Sequence, residues 1–233
     1  MRLATLAALN ADRAARQGGV LVTRPADGAE RYVTAAAFAA DPLHEALEAA
    51  LRMGKSGGAE HEGQSYFLTV QAPDVRLVAI GAVHISQALA PIARQAGFAM
   101  SVIDPRTGFA SAERFPDVPL IAVWPDEALK AQPLDRYTAI ALLTHDPKID
   151  DVALEAALKA ECFYIGALGS RKTHAKRLER MKAKGFDDAA LARIHAPIGL
   201  DIGAVSPAEI AVSIAGEIIA SLRKKPLRAE AAA

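Results

Sequence analysis

Ala-Glu-Cys-Phe-Tyr-Ile-Gly-Ala-Leu-Gly-Ser-Arg-Lys-Thr-His, residues 160–174, is the stretch from which the fold is read. Four strand-prone residues, 162–165, run into Gly166 and Gly169 and then into the donors Ser170, Arg171 and Lys172 at the start of a helix. Glycine lets the backbone turn tightly and approach a ligand, and the first N–H groups of a helix have no intrahelical acceptor, so they point at an anion. The helix expected over 170–184 carries Arg171, Lys172, Lys176, Arg177, Arg180, Lys182 and Lys184 against Glu179 alone. A phosphate is the guest this pattern predicts. Lys172-Thr173 stands where a nucleotide P-loop would have its Lys-Thr, counted from Gly166, but Arg171 replaces the required glycine and excludes that motif. The plainer alternative is an ordinary strand-to-helix turn followed by a solvated basic face.

Working outward, the chain from residue 75 alternates strands with helices, the pattern of a doubly wound parallel sheet. Residues 77–80 form an unbroken apolar strand, as burial on both faces requires. Further strands are expected over 99–103, 120–123 and 139–143, with 162–165 as the fifth. A helical face, Ile85, Leu89, Ile92, Ala93 and Ala96, ends at Gly97, and Asp150 or Asp151 is expected to cap a helix through Lys159. Ser206-Pro207-Ala208-Glu209 is a capping box with proline at the first helical position, opening a helix whose stripe includes Ile210, Ile214, Ile218 and Leu222. Residues 195–204 read as a glycine-rich, ligand-facing loop, and a disordered tail is expected from about 226.

Residues 1–74 read as a separate small α/β domain. A helix over 3–16 precedes a hairpin turned at Asp27-Gly28, and Asp41-Pro42 opens a second helix with Asp41 as its cap. Residues 54–63 read as a loop with four glycines, followed by a strand over 66–70. The fold class is therefore α/β: a Rossmann-like doubly wound sheet over 75–233, behind a small N-terminal α/β domain over 1–74.

A chain of 233 residues with 27 basic and 27 acidic residues has no bulk charge to attract nucleic acid or a membrane surface. Without an apolar run of spanning length or a signal-peptide pattern, the expected compartment is the cytoplasm. The single cysteine, Cys162, excludes an internal disulfide and a multi-thiolate metal cage, and its apolar strand suggests an inert buried thiol.

In an open parallel sheet the ligand lies beyond the carboxyl ends of the strands, where strand order reverses. With the order 3-2-1-4-5, the turns at 81–84, 104–106, 144–146 and 166–174 all converge on one rim. The first is a degraded dinucleotide fingerprint in which only Gly81 survives and Val83 and Ser86 replace the other glycines. Ala82 and His84 complete this turn. Asp104 is placed to accept from a ribose hydroxyl, and Arg106 could instead draw a phosphate. His145-Asp146, after Thr144, could form a catalytic pair, although no nucleophile motif accompanies it. His84, His145, His174 and His195 show none of the short spacings of a metal site.

Together these residues resemble the XdhC/CoxI family, accessory proteins of molybdenum hydroxylases such as xanthine dehydrogenase and carbon monoxide dehydrogenase. The resemblance rests on Leu143-Thr-His-Asp146, Tyr164-Ile-Gly-Ala-Leu-Gly-Ser-Arg171, Pro197-Ile-Gly-Leu-Asp-Ile-Gly203 and Ser206-Pro-Ala-Glu-Ile210, and covers roughly 75–222. It implies a cofactor-binding chaperone rather than a catalyst, one that holds the molybdenum cofactor (molybdopterin) and assists its sulfuration and insertion. Gly166, Gly169, Ser170, Arg171 and Lys172 would take the pterin phosphate, with His84, His145 and the loop of Pro197, Gly199 and Asp201 closing around the ring. The implied partners are an apo molybdenum hydroxylase and a sulfur donor protein, with a homo-oligomer expected. In the first turn Val83 replaces the family's usual second glycine, and residues 1–74 lack the family's cysteine motif. The residues alone leave open an NAD(P)-dependent oxidoreductase and a degenerate nucleotide-binding regulator.

Overall fold

A computed structural model describes residues 2–224. The tail expected from about 226 lies outside the described residues. The chain divides into two compact units, Met1–Pro73 and Asp74–Ala233.

The first unit comprises α1 (Leu3–Ala14), β1 (Gly19–Arg24), β2 (Ala29–Thr34), a 3-10 turn (Ala35–Ala40), α2 (His44–Met53), β3 (Gly57–His61) and β4 (Gln64–Gln71). Its strands form an antiparallel sheet in the order β2-β1-β4-β3, with Val20, Val22, Val33, Phe38, Leu43, Leu47 and Leu68 as core. Two expectations need correction. The glycine-rich 54–63 stretch is not all loop: it contains β3, joined to β4 through Glu62 and Gly63, both at positive φ. Such a two-residue turn sets a hairpin register through the backbone, without the β-branched side chains by which a strand is recognised. Asp41 accepts the Leu43 amide at 2.9 Å instead of capping a helix at Pro42, and α2 begins at His44.

The second unit comprises β5 (Arg76–Ile80), α3 (His84–Gln95), β6 (Ala99–Ile103), β7 (Leu120–Ile121), α4 (Pro125–Ala131), β8 (Thr138–Leu142), α5 (Pro147–Lys159), β9 (Tyr164–Ala167), α6 (Arg171–Ala183), α7 (Asp188–Leu191), β10 (Ile194–His195) and α8 (Pro207–Arg223). All its strands are parallel, in the order β10-β9-β8-β5-β6-β7. Counted within the unit this is 3-2-1-4-5, as expected, with β10 added beyond the fifth strand. Side chains alternate between two cores. Leu77, Ala79, Ala139, Ala141 and Tyr164 meet α3 and α8 on one face, while Val78, Ile80, Ile140, Leu142 and Ile165 meet α5 and α6 on the other. Helices on both faces make the sheet doubly wound, and its order reverses between β5 and β8.

Two boundaries shift in ways that matter for the rim. β9 begins at Tyr164, so Gly166 lies inside the strand instead of in the turn. α5 begins at Pro147 and is capped by Asp146, whose Oδ1 accepts the Lys148 amide at 2.9 Å. Asp150 and Asp151 are therefore buried residues of the helix and not its cap. The Ser206 capping box is present as read: Ser206 Oγ accepts the Glu209 amide at 3.2 Å and Glu209 Oε2 accepts the Ser206 amide at 2.9 Å.

Candidate anion site at the strand tips

The turns that follow β5, β6, β8 and β9 are joined in one network. After β5, Gly81 holds φ 116°, and a Cβ there would stand 3.0 Å from the Thr144 methyl in the turn after β8. That close approach is why glycine survives at this position of the degraded fingerprint. Ser86, in place of the last glycine, accepts the Val83 amide at 2.9 Å and donates to the Gly81 carbonyl at 2.6 Å. Its hydroxyl thus fills the position at which a pyrophosphate would seek a free amide. Ala82 is fully buried, and His84 is exposed at the start of α3.

Asp104 is not placed as a ribose acceptor. It is fully buried, Oδ2 takes the Ala82 amide at 2.8 Å and Arg106 Nη2 at 2.8 Å, and Oδ1 takes the Arg106 amide and Nε at 2.9 Å each. Burial alone would raise its carboxyl, but the Arg106 guanidinium and the two amides outweigh burial and hold it below the ordinary range. Asp104 fastens the second turn to the first, and Arg106, one-third exposed, carries the charge at that point of the rim. Arg114, which the sequence did not single out, donates to the Ala82 carbonyl at 2.9 Å and ties the 105–119 segment to the same turn.

After β8, His145 is exposed with φ 62°, a left-handed conformation unusual for a non-glycine residue. The turn is held on either side. Thr144 Oγ1 accepts the Asp146 amide at 3.1 Å and donates to Asp150 Oδ1 at 2.6 Å. Asp146 Oδ1 serves the α5 cap, and among the described residues no hydrogen bond joins its carboxylate to His145.

After β9, Gly169 takes φ 132° and Ser170 caps α6, its Oγ accepting the Thr173 amide at 3.2 Å. Arg171 and Lys172 are exposed at the first turn of that helix, where the backbone N–H groups have no intrahelical acceptor. Gly166 is a correction: a Cβ there would lie 2.5 Å from the Tyr164 hydroxyl and 2.6 Å from Ile198, so this glycine serves close packing and not the approach of a phosphate.

The loop after β10 leaves the same edge of the sheet, with Pro197 and Asp201 exposed and Ile198 in the core. It is fastened by a residue the sequence reading missed. Glu217 of α8 accepts from the Tyr164 hydroxyl at 2.6 Å and the Gly199 amide at 2.8 Å, and lies 3.0 Å from His195 Nδ1. Burial would raise this carboxyl, but its partners hold it below the ordinary range. A signal was available: Glu217 is the lone charge in the apolar run 210–222. His174 and His195 lie away from His84 and His145 in role, the former on the inner side of α6 and the latter with Glu217. Among the described residues, no three His, Cys, Asp or Glu side chains group as a metal site.

Cys162 is 1% exposed, and burial pushes its thiol up to about 12, so it offers no thiolate at neutral pH. Among the described residues, no helix is long and apolar enough to cross a membrane.

A parallel sheet of this order, with helices on both faces and a basic helix start at its carboxyl edge, defines a Rossmann-type domain. The chain belongs to the XdhC family: the family model described as the XdhC Rossmann domain matches residues 77–218. The molybdenum cofactor insertion chaperone PaoD of Escherichia coli K12 is 32% identical over 151 residues, covering 65% of this chain and 41% of that protein. A Bacillus subtilis 168 protein, named as a probable xanthine dehydrogenase component, is 31% identical over 153 residues, covering 65% and 44%. Escherichia coli YqeB is 33% identical over 181 residues, covering 72% and 32%. The chain thus spans less than half the length of each of these relatives. A crystal structure of a xanthine dehydrogenase from Bacillus halodurans superposes with a TM-score of 0.65 over 97% of this chain and 66% of that one, at 23% identity, a likeness of fold.

Proposed function

We propose that this chain binds the molybdenum cofactor in the cytoplasm and assists its insertion, in sulfurated form, into an apo molybdenum hydroxylase of the xanthine dehydrogenase or carbon monoxide dehydrogenase type. The observation that carries the reading is the convergence of four strand-end turns on a rim where the start of α6 presents Arg171, Lys172 and their amides. The binding function belongs to residues 75–233, with residues 1–74 as a separate small domain. When bound, the group supplies a terminal phosphate, a pterin ring and the metal. The α6 N-terminal amides, Ser170, Arg171 and Lys172 would hold the phosphate, a donor set that fits an oxyanion. His84 and His145 would flank the ring, with the 197–201 loop, and Glu209 of α8 accepts the Val205 and Ser206 amides further along the chain. Because the buried Cys162 cannot carry sulfur, the sulfur would come from a partner protein.

A nicotinamide dinucleotide has less support, since Asp104 and the Val83 amide are already engaged. Titrating purified chain with isolated molybdenum cofactor, NADH and NADPH tests the choice. The expected result is saturable binding of the cofactor and none of either dinucleotide. Dinucleotide binding with turnover would establish a reductase instead, and binding of neither ligand would leave a regulator that keeps the fold alone.

A further inference from the structure

Beneath the turns after β8 and β9 lies a buried polar cluster that the proposed function does not use. Arg177 is 2% exposed on the inner stripe of α6, beside Leu178 and Met181. Helical side chains lean toward the N-terminus. Its guanidinium accordingly reaches back to the turn, where Nη2 donates to the Leu168 carbonyl at 2.9 Å, one residue before Gly169. The other two nitrogens, Nε and Nη1, are buried without a hydrogen-bond partner. Asp150, also 2% exposed, binds Thr144 through Oδ1 and leaves Oδ2 unpartnered, and the buried Nδ1 of His174 is unpartnered too. Folded proteins seldom leave a guanidinium this poorly paired in their interior, because each unmet donor has given up its water without a replacement partner.

The position explains the expense. Arg177 ties down the Leu168 carbonyl beside the α6 N-terminus, and no carboxylate among the described residues is hydrogen-bonded to its guanidinium, although Asp150 and Asp151 attract it through space. Asp150 holds the neighbouring turn through Thr144, on the N-terminal side of His145. We infer that Arg177 is a positioning residue of the phosphate site: it turns the Leu168 carbonyl away, fixes the Gly169–Ser170 amides toward the ligand and adds positive charge behind them. The inference rests on reading the α6 N-terminus as the anion site.

The test is calorimetric titration of the full-length chain with inorganic phosphate and with isolated cofactor, in wild type and in Arg171→Gln, Arg177→Lys and Arg177→Gln variants, with melting curves for each. Glutamine carries no charge and ends two bonds short of the Nη2 position, so it removes the Leu168 contact as well, and an arginine with no part in the anion site would lose stability in the melting curve without loss of affinity. The expected result is that folded Arg177→Gln binds both ligands about tenfold more weakly, while Arg177→Lys restores affinity to within about threefold of wild type. Should Arg177→Gln fail to fold, the wild-type Arg177 Nε–H resonance, assigned by its loss in Arg177→Lys, is expected to shift on phosphate addition. Wild-type affinity in Arg177→Gln together with weakened binding in Arg171→Gln, or an unmoved Nε–H resonance in phosphate-saturated protein, overturns the role of Arg177 and leaves the anion site standing. A wild-type chain that binds neither phosphate nor cofactor overturns both.

Discussion

Asp150 shows how a single side chain under the rim carries a measurable signature. Burial pushes its carboxyl from the ordinary 3.8 up to about 6, against the opposing pull of the Thr144 hydrogen bond and the Arg177 charge. The folded state therefore keeps this proton after the unfolded chain has lost it. The resulting stability is full below the unfolded value and is lost as pH rises through the folded one, on the order of 2–3 kcal/mol in all. In Asp150→Asn the side chain stays neutral at every pH. Urea unfolding of both proteins between pH 4 and 7 is expected to show the variant gaining on wild type by that amount as pH rises, and a gap independent of pH would contradict the assignment. His145 is the complementary case, with strain in the backbone and an exposed ring. Its neighbours Thr144 and Asp146, both bonded into the fold, hold a conformation that costs about 1–3 kcal/mol.

Among the elements, β9 and α8 show what the sequence could and could not convey. The strand order and the alternating cores were legible because parallel strands buried on both faces are written as continuous apolar runs, as at 77–80. The α8 start was legible because its cap is local chemistry. β3 and β10 were missed because they are paired mainly through backbone, and β10 is only two residues long. Gly166 was misassigned because a glycine that admits a ligand and one that admits Ile198 look alike in sequence. Gly166→Ala separates the two: overlap with Tyr164 and Ile198 should destabilise the fold by about 1–3 kcal/mol, while the molecules that remain folded bind cofactor as wild type does. Reduced affinity in fully folded Gly166→Ala would restore a role in the site. Glu217 was overlooked because its partners come from β9, β10 and the 197–199 loop, which only the tertiary fold assembles. Glu217→Ala leaves the Tyr164 hydroxyl and the Gly199 amide without their acceptor, and about 2–4 kcal/mol of stability should be lost. Amide exchange at Gly199 should rise in step, and a Gly199 amide as protected as in wild type would contradict the clasp.

At the level of the whole molecule, charge is neutral in sum, with a basic run along α6 that begins at Arg171 and Lys172. That distribution suits a protein that holds a small anionic ligand and gives it up to a partner better than one that binds a polyanion along its surface. The sequence made the rim legible as a set of strand-end turns. It did not make legible which polar groups there are already engaged, because Asp104, Ser86 and Asp146 look equally available until their partners are known. Among the described residues of these turns, Arg171, Lys172, His84, His145 and the Arg171 and Lys172 amides remain free. The central claim is that this remainder grips the phosphate of the molybdenum cofactor. It is tested most directly by the dissociation constant of the isolated cofactor for wild-type chain and for Arg171→Ala, which removes an exposed side chain and should leave the melting temperature unchanged. A charge-assisted contact of about 1.5–3 kcal/mol predicts weakening of tenfold or more; equal affinities in the two proteins would contradict the account.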